Sequence, residues 1–520
     1  METDRQRAGG PERARWRIAG LILLAGLFRL LIAALLPLGV DEAYALAVAR
    51  EFSWAFFDHP PVGFWSPAAA ALSGSEAPLV LRLPHLFYGA GSAWMIWLIG
   101  RELGGPRAGL WALALFGLSP AFALAGVFIL PDGPLMMAGA FAVYWLVRIV
   151  RAGDAATTGQ WLLAGGGLAL ALASKYHAGL LVLSVLIFAL ATRQGQRWFA
   201  TPGPWLAAAL ALVGLAPVLW WNANNGWASF VFQGGRTGQG VNPAHLLQML
   251  LGQALYLLPP VFVLGLIGLA AGLRSRDPAR LLVGLIALGP LLFFNLAYLF
   301  ASRGLPHWTL PGWQYAMPLA GAWLASAPAA TRRRAALWLA GFLVVAHALI
   351  LAALLHVRSG ILTRYLPGEP PAWDRTIRVF DYAALAPALE ARGDLAGIRM
   401  IATPGWIEAG AISAAFRGRF ALRVLWGNPH HFAYMAGQAE GGAALLLEPA
   451  MLAEAPGRLR ALLAGARGID PQARALEPVI LERGGRPYVA VNVIRLQLPP
   501  AGSEGRREGG RAGPPRGGGG

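Results

Sequence analysis

The sequence predicts an α-helical polytopic membrane protein that carries a small C-terminal α/β domain. Three observations support this. Of the 520 residues, 56% are hydrophobic and only 13% charged, with a mean hydropathy of +0.52. Arginines gather in every second gap between the apolar stretches, as they do in the cytoplasmic loops of inserted proteins. After residue 360 the long apolar runs give way to short alternating ones, the pattern of strands and short helices.

A helix needs about 20 apolar residues to cross the hydrocarbon layer. Stretches that reach or approach this length lie near 17–38, 79–100, 108–126, 133–150, 161–173, 177–192, 204–221, 250–273, 281–300, 310–327 and 335–357, which makes about eleven spans. The pieces 161–173 and 177–192 are short. They are either two tilted helices meeting at Ser174-Lys175-Tyr176-His177 or one broken span. The first stretch holds Arg29 and lacks a small-residue cleavage site, so it is expected to stay in place as a span.

Arg5, Arg7, Arg13, Arg15 and Arg17 precede the first stretch. Arg101/Arg107, Arg148/Arg151, Arg193/Arg197, Arg274/Arg276/Arg280 and Arg332/Arg333/Arg334 follow in alternate gaps. The other gaps hold only Arg50, Lys175, Arg236 and Arg303. Residues 1–17 then form a cytoplasmic tail, and Asp41, Asp58, Asp132, Asn222, His245, His307 and all that follows Arg358 face outward. In a bacterium this is the inner membrane with a periplasmic working face. The formal net charge of +17 would suggest nucleic acid in a soluble protein. Here it is largely topological, and no nucleic-acid partner is expected. With no cysteine, disulfides and thiolate metal sites are excluded.

In the C-terminal region, expected strands lie at 398–402, 422–425, 443–447, 479–481 and 488–496, with helices at 383–392 and 450–465. The expected division is a membrane domain at 18–358, whose first outer loop is 39–78, and a periplasmic α/β domain at 359–500. A Pro-rich lead, 366–371, joins them, and a Gly/Arg/Pro tail at 501–520 is expected to be disordered. No internal repeat suggests a transporter of two related halves.

Five tracts hold most of the outward polar residues. They are Asp41-Glu42-Ala43-Tyr44 with Phe57-Asp58-His59-Pro60-Pro61; Leu130-Pro131-Asp132-Gly133-Pro134-Leu135; Ser174-Lys175-Tyr176; Pro217 to Trp227 with Ser229, Phe230, Phe232 and Gln233; and Pro306-His307-Trp308-Thr309-Leu310-Pro311-Gly312. In this order they resemble bacterial members of glycosyltransferase family 39, relatives of the protein O-mannosyltransferases and of the aminoarabinose transferase that modifies lipid A. The resemblance covers roughly residues 20–330. It implies a GT-C architecture, a catalytic aspartate in the first outer loop, and a polyprenyl-phosphate sugar, such as an undecaprenyl-phosphate one, as donor.

The chemistry of such a transfer accounts for the residue types. Positive charge develops on the sugar while a phosphate leaves with its charge intact, so one carboxylate base on the acceptor hydroxyl suffices, and cations must stabilise the departing phosphate. Asp41 matches the family's first-loop aspartate and is the expected base, with Glu42 beside it to orient it. The simpler reading is that the pair begins a helix, where carboxylates are favoured. His59, Arg82 and Lys175 are the expected phosphate cations. Lys175 is the only lysine, and an ammonium between apolar segments calls for an anionic partner unless it snorkels to the interface. The aminoarabinose-transferase relatives have a Glu-Lys pair where this chain has Asp58-His59, so an imidazole replaces an ammonium. Asp58 and His59 are also the one candidate pair for a divalent cation; no cofactor is otherwise expected. Asp58, Asp132, Tyr176, Trp221, Asn222 and His307 are expected to line the sugar site, although turn capping and interfacial anchoring explain them as well.

The expected function is transfer of a hexosyl or pentosyl unit to an envelope acceptor: lipid A or lipopolysaccharide, another glycolipid, or a protein. Inversion follows from the family and from single displacement. A flippase for the same lipid would need charged or broken helices deep in several spans. A scaffold of envelope-glycan assembly would depend on the outer domain near Trp406 and His430-His431 and be indifferent to Asp41.

Overall fold

The computed structural model describes residues 2–235, 241–300, 304–365, 374–438 and 440–500. The 366–371 lead, the 501–520 tail, Arg236 and Arg303 lie outside them. The chain divides into two compact units, one of Met1–Ala34, Ser53–Ser66 and Leu81–Ile350, the other of Leu35–Phe52, Pro67–Val80 and Leu351–Gly520. The first outer loop, expected as a single stretch at 39–78, is therefore shared. Its middle belongs with the membrane helices and its two flanks with the C-terminal domain.

The first unit is built of helices that fall at the expected apolar stretches. Three of them, Asp132–Ala155, Pro278–Ala297 and Ala329–Ser359, are long and apolar enough to cross a membrane, and the number rises to six if bent pairs are each one span. About eleven spans were expected; part of the difference lies in breaks and part in helices of 14–17 residues, Thr158–Leu172, Ala178–Ala191 and Leu310–Ser326. Pro202–Val213 and Ala216–Asn224 meet at 40°, and Pro243–Leu257 and Pro259–Leu273 at 108°, with Pro217 and Pro259 removing a helical hydrogen-bond donor at each break. Pro78–Gly117 is interrupted by non-helical backbone at Gly104 and Gly105, the latter at φ 80° just before Pro106, so the expected stretches 79–100 and 108–126 fall on separate helices, the second continuing past a break into Pro120–Ala125. The pieces 161–192 form two helices, Thr158–Leu172 and Ala178–Ala191. The first packs on Asp132–Ala152 and Pro202–Val213, the second on Pro278–Ala297.

Trp313, Tyr315, Phe116, Phe122 and Ile96 are fully buried in this unit's core. Leu190, Leu212, Trp338 and Val344 are exposed, as expected of helices whose outer faces meet lipid instead of water.

The second unit contains a five-stranded sheet in the order β2-β1-β3-β5-β4. The strands are β1 Met400–Thr403, β2 Ala421–Val424, β3 Gly442–Met451, β4 Arg474–Arg483 and β5 Arg486–Leu498. β1 pairs in parallel with β2 and β3, and β5 is antiparallel to β3 and β4. Every expected strand is present, because strands buried on at least one face carry a clear apolar pattern. Met400, Ala402, Leu446, Ile494 and Leu496 pack with Leu462 and Ala466 of the helix Ala455–Ile469.

A buried knot fixes the entry to this domain. His356 Nε2 lies 3.0 Å from Asp374 Oδ2, and the Leu362 N–H donates to His356 Nδ1, so Nε2 is the nitrogen that donates. Arg483 donates to the Thr376 hydroxyl at 2.6 Å and lies over the Tyr488 ring at 4.2 Å. Burial alone would raise the Asp374 carboxyl, but the Thr376 and His356 hydrogen bonds outweigh it and hold it below its ordinary value.

Candidate active site

Four of the five tracts, and the Phe57–Pro61 half of the first, converge within the first unit. Phe56 and His59 exchange backbone hydrogen bonds, closing a tight turn at Phe57-Asp58. Gln233 donates to the Asp58 carbonyl at 2.9 Å, Ser229 to the Phe56 carbonyl, and Trp221 and Val218 bury Ala55. The Asn222 Oδ1 accepts the Ser229 N–H at 3.0 Å, so the 217–233 stretch acts as a brace for the Asp58-His59 turn. The Val62 N–H donates to the Ala173 carbonyl, tying the same turn to the Ser174-Lys175 break. A Cβ on Gly63 would lie 2.9 Å from Pro131 Cα, so only glycine allows this turn against the Pro131-Asp132 corner.

At this junction Lys175 Nζ donates to Asp132 Oδ2 at 2.7 Å, both side chains about 95% buried (5% and 4% exposed). Asp132 Oδ1 has no hydrogen-bond partner among the described residues. His177, His307 and His59 are close enough to the pair or to one another to interact electrostatically, and Tyr256 adds a phenol near Asp132. His177 stacks on Phe294, with centroids 4.4 Å apart. Tyr176 lies beside Ser229 and Asn222, and burial raises its phenol above the ordinary value.

Burial holds the His307 imidazole down at about 4, with Asp132 opposing and Lys175 adding to the effect. Its unfolded value is about 6.5, so His307 contributes stability that is complete above pH about 6.5 and is lost as pH falls toward the folded value. The unfolding midpoint of the native protein should therefore fall more steeply between pH about 6.5 and 4 than that of His307→Asn. Thermal scans of the two in detergent across that window test it, and parallel curves would refute it.

Asp41 stands in the second unit, on the helix Val40–Val48. Its side chain is exposed, whereas Glu42 is buried and its Oε2 accepts the Gly39 N–H at 2.8 Å. Glu42 thus fixes the start of the helix, the simpler of the two roles the sequence allows it. The helix is clamped by the C-terminal domain. The Tyr44 hydroxyl accepts the His431 N–H at 3.1 Å, and its ring meets Trp406, His430 and Phe432 edge-on, with centroids 5.1–5.9 Å apart. A Cβ on Gly410 would come within 2.7 Å of Tyr44 N.

Other expected site residues also prove to have structural partners. Arg82 is fully buried, its Nη1 3.0 Å from the Ala33 carbonyl and its Cζ 5.8 Å from the Phe128 ring. Through the Ala33 carbonyl it ties helices together. Lys175 has an anion within the chain, Asp132, which it meets through Oδ2 while Oδ1 stays without a partner among the described residues. Trp221 and Asn222 are buried in the brace. Asp58 is buried, while His59, Tyr176 and His307 are half-buried at the junction. Tyr256 was missed, because a lone tyrosine in an apolar helix carries no local signal. Among the described residues, no group of three or more His, Asp or Glu is placed to hold a metal ion.

A family model described as dolichyl-phosphate-mannose-protein mannosyltransferase matches residues 58–221, a segment that holds Asp58, His59, Asp132 and Lys175 but neither Asp41 nor His307. No curated protein sequence matches the chain. Among solved structures, the chain is similar to ArnT from Cupriavidus metallidurans bound to undecaprenyl phosphate, with 13% identity over 91% of this chain and 97% of that one and a TM-score of 0.63. The apo form of that protein matches at 14% identity over 92% and 98%, with a TM-score of 0.61. The arabinofuranosyltransferase AftD from Mycobacteria matches at 17% identity over 93% of this chain and 40% of that one, with a TM-score of 0.50. At such identities the structural likeness is one of fold. The chain thus shares its fold with GT-C membrane glycosyltransferases, and its 58–221 segment resembles a mannosyltransferase family.

Proposed function

We propose that this protein moves a sugar from a polyprenyl-phosphate donor to an envelope acceptor at the outer face of the bacterial inner membrane, with inversion. The observation that carries this is the convergence of four motif tracts on one junction, where a carboxylate, an ammonium and three imidazoles meet. The donor class follows that of the matched ArnT structure, which is bound to undecaprenyl phosphate. The arginine pattern supports a cytoplasmic N-terminus and an outward C-terminal domain.

In the proposed step, the acceptor oxygen attacks the anomeric carbon while Asp41 takes its proton. The bond from that carbon to the phosphate oxygen breaks, and its electron pair leaves with the polyprenyl phosphate. Lys175 has three N–H donors, of which Asp132 uses one. The others, with His59, are the groups proposed to hold the phosphate oxygens. Asp58 and His59 supply two donors toward a cation, and no third His, Asp or Glu of the described residues completes a set, so the step is written on side chains alone.

Native mass spectrometry of the purified protein with undecaprenyl phosphate tests the donor site. One lipid should bind per chain, and His59→Ala should weaken binding by about tenfold, the loss of one charge-assisted hydrogen bond. Absence of binding, or binding indifferent to His59, would contradict the assignment.

A further inference from the structure

The second unit contains a cavity of about 280 Å³ that the proposed step does not use. Gly39, Val40 and Ala43, from the first turn of the Asp41 helix and the residue before it, form part of its wall. Phe380, Ile407 and Met451 add apolar surface. Charge enters through Arg378, Glu408, Glu454 and Arg458. Arg458 is already bridged to Glu448 and Glu454, each at 3.2 Å. Arg378 and Glu408, by contrast, form no ion pair among the described residues. Behind them Glu448, only 9% exposed, keeps Oε2 without a hydrogen-bond partner among the described residues. Burial raises the Glu408 carboxyl above its ordinary value, Glu448 adding to the effect, while a hydrogen bond from its own backbone N–H and the nearby Arg458 oppose it.

A carboxylate and a guanidinium, neither held in an ion pair among the described residues, over an apolar wall suit a sugar ring. The carboxylate accepts from hydroxyls, the guanidinium donates to ring and hydroxyl oxygens, and the C–H face packs on the wall. Acyl chains are disfavoured by the charges. A lone phosphate would meet carboxylates at Glu408 and Glu454. The volume lies near the lower limit of ligand pockets, about 300 Å³, and suits a glycan unit, not a protein segment. We propose that this cavity binds a sugar residue of the acceptor, beside the helix that presents Asp41. This rests on the transferase reading and adds to it the chemical class of the acceptor and the place where it is read.

Saturation-transfer NMR on the full chain in lipid nanodiscs, with a β-1,6-linked glucosamine disaccharide and methyl α-mannoside as probes, tests the proposal. Saturation should reach the ring protons of at least one probe. Glu408→Ala and Ala411→Trp should each weaken that binding by at least about tenfold, a loss of the order of one charged hydrogen bond, while the unfolding midpoint of Glu408→Ala stays near native. Binding should persist in Asp41→Asn. No transfer to either probe, or undiminished transfer in Glu408→Ala, overturns the proposal; should Ala411→Trp fail to fold, Glu408→Ala alone decides. The readout needs no turnover. Failure of the transferase reading would instead appear as no sugar transfer by the native protein with probe binding intact.

Discussion

Asp41→Asn should lower the rate of sugar transfer by about 10²–10⁴-fold, the usual contribution of a positioned general base, while leaving undecaprenyl-phosphate binding unchanged. The amide has the size of the carboxylate but cannot take a proton from the acceptor hydroxyl. Asp41 is exposed at the first turn of its helix, so the loss of a charge at the helix N-terminus costs at most about 1 kcal/mol. The helix remains held by Glu42 on Gly39 and by Tyr44 on His431. Initial rates and product release measured on purified native and variant protein separate the two effects. A variant that binds donor and still transfers at the native rate would remove Asp41 from the mechanism.

Lys175→Ala should destabilise the membrane unit by about 3–5 kcal/mol, because it leaves the Asp132 carboxylate buried without its counter-charge. The pair is 2.7 Å apart, with exposures of 5% and 4%, so water can replace little of what is lost. Lys175→Ala combined with Asp132→Ala should cost less than the sum of the two single changes, since neither leaves an orphaned charge in the other's absence. Thermal unfolding in detergent of the two single variants and the double variant gives the coupling. Additive losses would mean that the contact contributes nothing, and that Lys175 faces the donor phosphate without Asp132 as a partner.

Local pattern accounts for what was legible in the sequence. The strands at Leu422–Leu425, Val479–Leu481 and Tyr488–Leu496 announce themselves by alternation and β-branched residues, and observed β2, β4 and β5 fall on them. The apolar helices were equally visible, but their breaks were less so, since a proline inside a membrane helix is tolerated when neighbouring helices satisfy the backbone. The site residues were found by type and order. Their partners were not, because partnership is long-range. Lys175 and Asp132 lie 43 positions apart, Arg82 and the Ala33 carbonyl 49, and Tyr44 and His431 387. Nothing periodic links such pairs. Glu42 is the instructive contrast, because its reach back to Gly39 spans three residues and the capping reading was already available from the sequence. The division of the first outer loop between two units was likewise invisible, since it arises from the packing of the helix Trp406–Ala415 on the Asp41 helix.

The most direct measurement is a mass-spectrometric comparison of envelope glycolipids from cells carrying the native chain, no chain, or Asp41→Asn with verified expression. Loss of the same single sugar mass from one glycolipid in both defective strains is the result predicted, and it would name sugar and acceptor together. A native profile in the Asp41→Asn strain, with the mass lost only on deletion, would contradict the account and favour a transport or scaffolding role.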